Sequence, residues 1–117
     1  MARPHIEPFV DREVPFKKMT LPGFPKGMHY KMLSLDTDTG ACSMTVMFEP
    51  GYELPPGMSY SEMELFVMNG YIEMDGQKHG PGTYVCLPAG VTLPAMKMPR
   101  GITALMFYNY GEPSFVE

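Results

Sequence analysis

Glycine and proline divide this chain into short pieces. The 117 residues include 12 Gly and 13 Pro, and the longest stretches free of both are 28–39 and 58–69. Because proline breaks the interior of a helix and glycine weakens it, this distribution excludes a bundle of helices. Short strands fit between such breaks. The spacing therefore predicts a single all-β domain, a barrel or a sandwich.

Apolar and polar residues alternate in several of these pieces. In ACSMTVMFE (41–49) the even positions are all apolar, which predicts a half-buried strand. Asp75-Gly76 suits a type I′ turn, so 71–74 and 77–79 are predicted to form a hairpin that sets Glu73 opposite Lys78. The remaining predicted strands are 29–36, 65–70, 83–88, 91–97 and 101–110.

Residues 1–27 carry five prolines and are predicted to form an N-terminal arm. Its apolar side chains predict that the arm packs on the barrel of its own chain or on a partner, and 28–117 would then be the barrel. Pairing through the arm or through an edge strand would cover exposed backbone groups, so we expect a homodimer.

Charge and composition exclude several classes of partner. The net charge of −4 argues against nucleic acid, because phosphate contacts require a basic surface. The chain lacks a run of 18 apolar residues, so no membrane partner is expected. The first twenty residues lack the apolar core of a signal peptide. Cys42 and Cys86 lie in apolar runs and are predicted to be buried free thiols of a cytoplasmic protein.

Two segments resemble the paired motifs of the cupin family. GYELPPGMSYSEMELFVMNG (51–70) has the glycine spacing and the ending of the first motif, and GTYVCLPAGVTL (82–93) has the Gly–Pro–Gly spacing of the second. The opening ARPHIE and the run from FKKMTLPG to MLSLDTDTGACSM resemble cupins of the anti-sigma type. Over about 28–110, the resemblance implies a small single-domain cupin, a jelly-roll barrel of the double-stranded β-helix type.

The same resemblance implies where a metal would bind. Cupins hold a divalent cation with three His and one Glu. The three His positions fall here on Gly57, Ser59 and Leu93, and the Glu position falls on Met63. Zinc and non-haem iron usually require two or three imidazole ligands, and none of these four residues supplies one. We therefore predict a cupin barrel that lacks the standard metal site and uses no cofactor.

Methionine is unusually frequent, with thirteen residues, and no tryptophan is present. Methionine is flexible and polarizable. Three interpretations stay open: methionine as a core filler, an adaptable apolar ligand pocket, or a soft-metal site for Cu(I). The pocket hypothesis predicts a small apolar or aromatic ligand. The predicted ligand-binding residues are Met44, Met58, Ser59, Met63, Leu93 and Met106.

Tyr60, Glu62 and Glu64 alternate, so on a strand they share one face. If that face is inward, the two carboxylates and the phenol are candidate general acids or bases in an apolar cavity. If it is outward, they form a solvated edge, and Met63 points in.

Three functions stay open. The first is a ligand-binding barrel. The second is an enzyme, either a metal-independent lyase, isomerase or cyclase, or a divergent metal-dependent dioxygenase. The third is a structural dimer module with a plugged barrel.

Overall fold

The computed structural model describes residues 5–19, 25–56, 62–87 and 94–108. These residues contain one 3-10 turn, Asp11–Glu13, and ten strands. The strands are β1 (Lys17–Met19), β2 (Met28–Leu35), β3 (Cys42–Phe48), β4 (Tyr52–Leu54), β5 (Met63–Gly70), β6 (Ile72–Met74), β7 (Gln77–His79), β8 (Tyr84–Leu87), β9 (Met96–Met98) and β10 (Ile102–Tyr108).

The strands form two antiparallel sheets. The larger has the order β1-β2-β3-β10-β5-β8, and the smaller has the order β4-β9-β6-β7. The all-β prediction is confirmed, and so is the hairpin at Asp75-Gly76, where both residues have positive φ and Glu73 pairs with Lys78. Strand β4 was not predicted. No helix among the described residues has the length and apolar character needed to cross a membrane.

The core lies between the inner faces of the two sheets. Strand β10 pairs with β3 on one side and β5 on the other, and its residues alternate between buried and half-buried. Ile102, Ala104, Met106 and Tyr108 point into the core. Six of the buried core residues in the described part of the chain are methionines: Met28, Met44, Met63, Met96, Met98 and Met106.

The glycine that closes the first motif, Gly70, lies where two backbones approach closely. It has a φ of 79°, and an added Cβ atom would overlap the carbonyl oxygen of Gly101. Gly51, at the start of the motif, also has positive φ, but an added Cβ would meet nothing within 4 Å. Both glycines satisfy a backbone requirement, and Gly70 satisfies a packing requirement as well.

Part of the proline-rich segment is attached to the outer face of the larger sheet. Lys31, on β2, is buried, and its Nζ donates hydrogen bonds to the carbonyl oxygen (2.9 Å) and the Oδ2 atom (3.1 Å) of Asp11. Thr45 Oγ1 donates to Asp11 Oδ1 at 2.6 Å. The hydrogen bond from Thr45 to the Asp11 carboxylate, and after it the one from Lys31, lower the pKa of Asp11 below its ordinary value. Whether 1–27 forms a separate arm stays a prediction.

One expectation about the cysteines is wrong. Both are free thiols, and Cys42 is buried as predicted, but Cys86 is exposed. Cys86 lies between Val85, which packs against the core, and Leu87 on β8. In a strand, the residue next to an inward-facing one points to the other face, and the described residues leave Cys86 exposed there. An apolar run in the sequence does not reveal that a strand has an uncovered face.

Gly70→Ala should destabilise the fold by more than about 3 kcal/mol, because the new Cβ would meet backbone that cannot move aside. Gly51→Ala should cost about 1 kcal/mol, from backbone strain alone. Urea unfolding of both variants measures the difference. Equal losses would contradict the close approach of Gly70 to Gly101.

Asp11→Asn should lower the free energy of unfolding by about 1–2 kcal/mol, because the buried Lys31 ammonium loses its counter-charge. The folded state holds the Asp11 pKa below its ordinary value. The stabilisation is therefore complete above that value and is lost as the pH falls through the folded pKa. The difference between variant and wild type should shrink below about pH 4. Glu13→Gln, in the same turn, is the control and should change little. An Asp11→Asn effect that does not depend on pH would contradict this account.

Candidate functional site

Methionines of three neighbouring strands lie side by side on the inner face of the larger sheet. Met32 on β2 pairs in register with Met44 on β3, and Met44 pairs with Met106 on β10. Register partners on one face of an antiparallel sheet lie about 5 Å apart. We call Met32, Met44 and Met106 the methionine row. Met44 and Met106 are buried, whereas Met32 is 40% exposed, so the row runs from solvent into the core.

Several predicted ligand-binding residues meet here. Met106 pairs on its other side with Leu65, and Met63 is two residues before Leu65 on the same face of β5. Met44, Met63 and Met106 therefore share one part of the core, and each is at most 3% exposed. Met58, Ser59 and Leu93 lie outside the described residues, and so does Tyr60.

The structure separates one of the two predicted carboxylates, Glu64, from this cluster. Glu64 lies on β5 between the buried Met63 and Leu65, so it faces the outer surface of the sheet, away from the methionines. Its Oε1 atom accepts a hydrogen bond of 2.5 Å from the Tyr84 hydroxyl. That hydrogen bond is the main reason why the pKa of Tyr84 is raised above its ordinary value. Glu62 is half-buried at the bend before β5.

The residues present do not fit the metal site that the cupin resemblance implies. At the position of the family's Glu, Met63 is buried and carries a neutral thioether. The described residues contain no group of three or more His, Cys, Asp or Glu side chains placed to hold a cation. Two described histidines have carboxylate neighbours elsewhere: His29 lies 2.7 Å from Glu49, and His5 lies 3.2 Å from Glu7. The side chains of the described residues therefore do not supply the His and Glu ligands that a standard cupin metal site requires.

A concave region lies on the outer face of the smaller sheet, away from the methionine row. It is a groove of about 310 Å³ between β6, β7 and β9. Register pairing places Glu53, Lys97, Glu73 and Lys78 in one line across the four strands, with alternating charge. Opposite charges on adjacent strands stabilise a sheet modestly. Glu73, Lys78 and Lys97 of this line also line the groove, so pairing within the sheet accounts for these three charged side chains.

Met32 was not among the predicted ligand-binding residues, and a β-bulge is what brings it into the methionine row. Near the turn, Leu35 pairs with Cys42 and Ser34 with Ser43, a register that would set Leu33 opposite Met44. The register shifts by one residue between Met32 and Ser34, and Met32 therefore takes that place. A bulge of this kind leaves no clear signal in the residues around it.

The sequence matches the profile of the ChrR cupin-like domain family over residues 11–112. The chain belongs to this family. None of the curated proteins matches the sequence of this chain. The family match and the two-sheet fold together confirm the resemblance to cupins that the two sequence motifs indicated.

Solved structures with a similar fold include proteins that differ in function. An acetylacetone dioxygenase from Acinetobacter johnsonii is 15% identical, with a TM-score of 0.68 over 100% of this chain and 80% of that chain. An RmlC-like cupin protein from Ralstonia eutropha JMP134 is 13% identical, with a TM-score of 0.71 over 97% and 73%. The polyketide cyclase RemF from Streptomyces resistomycificus is 17% identical, with a TM-score of 0.67 over 97% and 87%. At these identities the similarity shows a shared fold.

Glu64→Gln should let the pKa of Tyr84 fall toward its ordinary value, because the hydroxyl would lose its hydrogen bond to a carboxylate, which favours the protonated phenol. The measurement is an ultraviolet absorbance titration of tyrosine ionisation, in which one additional phenol should titrate near pH 10. The same variant with Tyr84→Phe should lose that additional step, and Glu62→Gln should match the wild type. A titration unchanged by Glu64→Gln would contradict the Tyr84–Glu64 hydrogen bond.

Proposed function

We propose that this cupin-like domain binds a small apolar or aromatic molecule among the methionine side chains of its interior, without the standard metal site. The observation that carries the proposal is the methionine row, which connects the exposed Met32 to the buried Met44 and Met106. Binding sites for small molecules are typically concave and lined mostly by apolar side chains.

The chemistry of the row supports a ligand of this class. Thioether side chains are unbranched and polarizable, so they adapt to flat or irregular apolar molecules and contact aromatic rings favourably. The row lacks a charged side chain, and its inner neighbours Leu65 and Val67 are also apolar. A charged ligand would lose its hydration there without gaining a counter-charge, and it would therefore bind poorly. Met58, Ser59 and Leu93 stay in the proposed site as sequence-based candidates.

An enzyme is the second candidate. It is favoured by Glu62, which is half-buried at the bend before β5 and so lies outside the strand in which Glu64 faces outward. From that position a carboxylate can serve as the general base of a metal-independent lyase, isomerase or cyclase. Two of the proteins with a similar fold are enzymes, an acetylacetone dioxygenase and a polyketide cyclase, and these activities are theirs. Glu64 does not support this candidate, because it faces outward.

The cellular setting is part of the proposal. Both thiols are free, and Cys86 is exposed, a state that persists in the reducing cytoplasm. We expect no nucleic-acid or membrane partner, and we expect a homodimer.

Met44→Phe should weaken binding of a neutral aromatic probe at least about tenfold, because the larger ring fills space at the centre of the row. The probe is N-phenyl-1-naphthylamine, followed by its fluorescence and by the methyl NMR signals of ¹³C-labelled methionine. In the wild type, the signals of Met44 and Met106 should shift in a saturable way.

Met47→Phe is the matched control, since Met47 is on the same strand but on the outer face, and it should leave binding unchanged. Glu62→Gln should also leave probe binding unchanged. Saturable shifts at methionines outside the row, with none at Met44 and Met106, would contradict the proposed pocket. One equivalent of iron, manganese or zinc in the purified protein would contradict the metal-free interior.

A further inference from the structure

The two sheets end in four edge strands, and three of these carry charge. The edge strands are β1 and β8 in the larger sheet and β4 and β7 in the smaller. Lys17 and Lys18 are on β1, Glu53 on β4 and Lys78 on β7, and all four are exposed. Charged side chains at an edge oppose pairing with another strand. Strand β8, with the sequence YVCL, has no charged residue.

The backbone of β8 has hydrogen-bonding groups that point away from its neighbour. Val67 on β5 donates to Thr83 O at 2.9 Å and accepts from Gly82 N at 2.8 Å, so Val67 directs both groups toward β8. Bonding groups alternate along a strand, and Leu65 and Met63 therefore direct theirs toward Val85 and Leu87. The N–H and C=O groups of Tyr84 and Cys86 then point outward. Among the described residues, no strand pairs with that side of β8.

The outer surface beside this edge is aromatic. Phe66 on β5 pairs in register with Tyr84 on β8, and their exposed fractions are 40% and 57%. Phe66 also pairs with Leu105 on β10. Glu64, the acidic residue on this surface, accepts the hydrogen bond from the Tyr84 hydroxyl. The surface next to the open edge is therefore largely apolar, and its carboxylate already has a partner.

We propose that a second copy of this chain pairs with β8, strand to strand and antiparallel, to form one continuous sheet across a twofold axis. A twofold axis makes a single edge self-complementary, so no other partner surface is required. Two copies that each carry a net charge of −4 repel one another, and β8 is the edge at which they can meet without adding charged side chains.

The outward-pointing groups determine the register. With the axis at Val85, Tyr84 of each copy lies opposite Cys86 of the other, and every outward N–H and C=O of both residues is paired. An axis at Cys86 would pair Cys86 with its own copy, but Tyr84 would then lie beyond the end of the partner's β8 at Leu87. An axis at Tyr84 would place Cys86 opposite Gly82, whose N–H already bonds to Val67. The first register is therefore favoured, and Val85 of one copy lies directly opposite Val85 of the other.

The first test measures the oligomeric state by analytical ultracentrifugation between about 5 and 500 μM, concentrations that cover weak and moderate dimers. The wild type should dimerise. Tyr84→Lys should raise the dissociation constant about 100-fold or more, because two like charges would meet near the axis. Leu35→Lys is the control: Leu35 is 38% exposed in the same sheet, at the far end of β2, and this variant should dimerise like the wild type.

The second test checks the register and does not depend on the Tyr84 variant. Val85→Cys in a Cys86→Ser background should form a disulfide between copies under mild oxidation, because directly opposite residues lie within bonding reach. Lys78→Cys in the same background, on an edge strand of the smaller sheet, should not. The proposal is overturned if the wild type is monomeric throughout, if Leu35→Lys rather than Tyr84→Lys dissociates the dimer, or if Val85→Cys forms no cross-link.

Discussion

The pairing of β10 on both of its sides is the constraint on which the rest of this structure depends. Seven residues of β10 pair with β3, and the same seven pair with β5. Because side chains alternate along a strand, burial of Ala104 and Met106 determines which residues of both neighbours enter the core. A register slip of one residue would exchange the two faces. The methionines would then be exposed, and Glu64 would be buried.

This constraint also separates two kinds of chemistry. The inner face receives thioether, aliphatic and aromatic side chains, with the Cys42 thiol and the Tyr108 phenol among them, whereas the outer face of β5 and β8 receives the Glu64 carboxylate beside Tyr84 and Cys86. The cupin scaffold is retained, as the family match and the glycine at the end of the first motif both indicate. Its usual metal-binding positions have become neutral. On the outer face of the larger sheet, polar groups pair with one another: Tyr84 with Glu64, and Lys31 and Thr45 with Asp11.

The N-terminal segment shows how a buried charge is accommodated on the outside of such a sheet. Lys31 and Thr45 are register partners on the outer face, and both are buried beneath the segment that carries Asp11. The Lys31 Nζ atom also lies 4.4 Å from the centre of the Phe16 ring. Carboxylate, carbonyl and ring together replace the water that the ammonium has lost. The segment that carries Asp11 therefore contributes a charged contact to the sheet, which the apolar side chains of residues 1–27 did not predict.

The sequence by itself determined the fold class and the main hairpins, because glycine, proline and period-two alternation act over a few residues. The Asp75-Gly76 turn and the alternating strand 41–49 were predicted for this reason. The cupin motifs also identified Gly51 and Gly70, both of which have positive φ. Only the tertiary structure decided which side chains share the site. The bulge that brings Met32 opposite Met44, the outward direction of Glu64 and the exposure of Cys86 all depend on how strands far apart in sequence align. That alignment results from the packing of the whole core, and no local pattern encodes it.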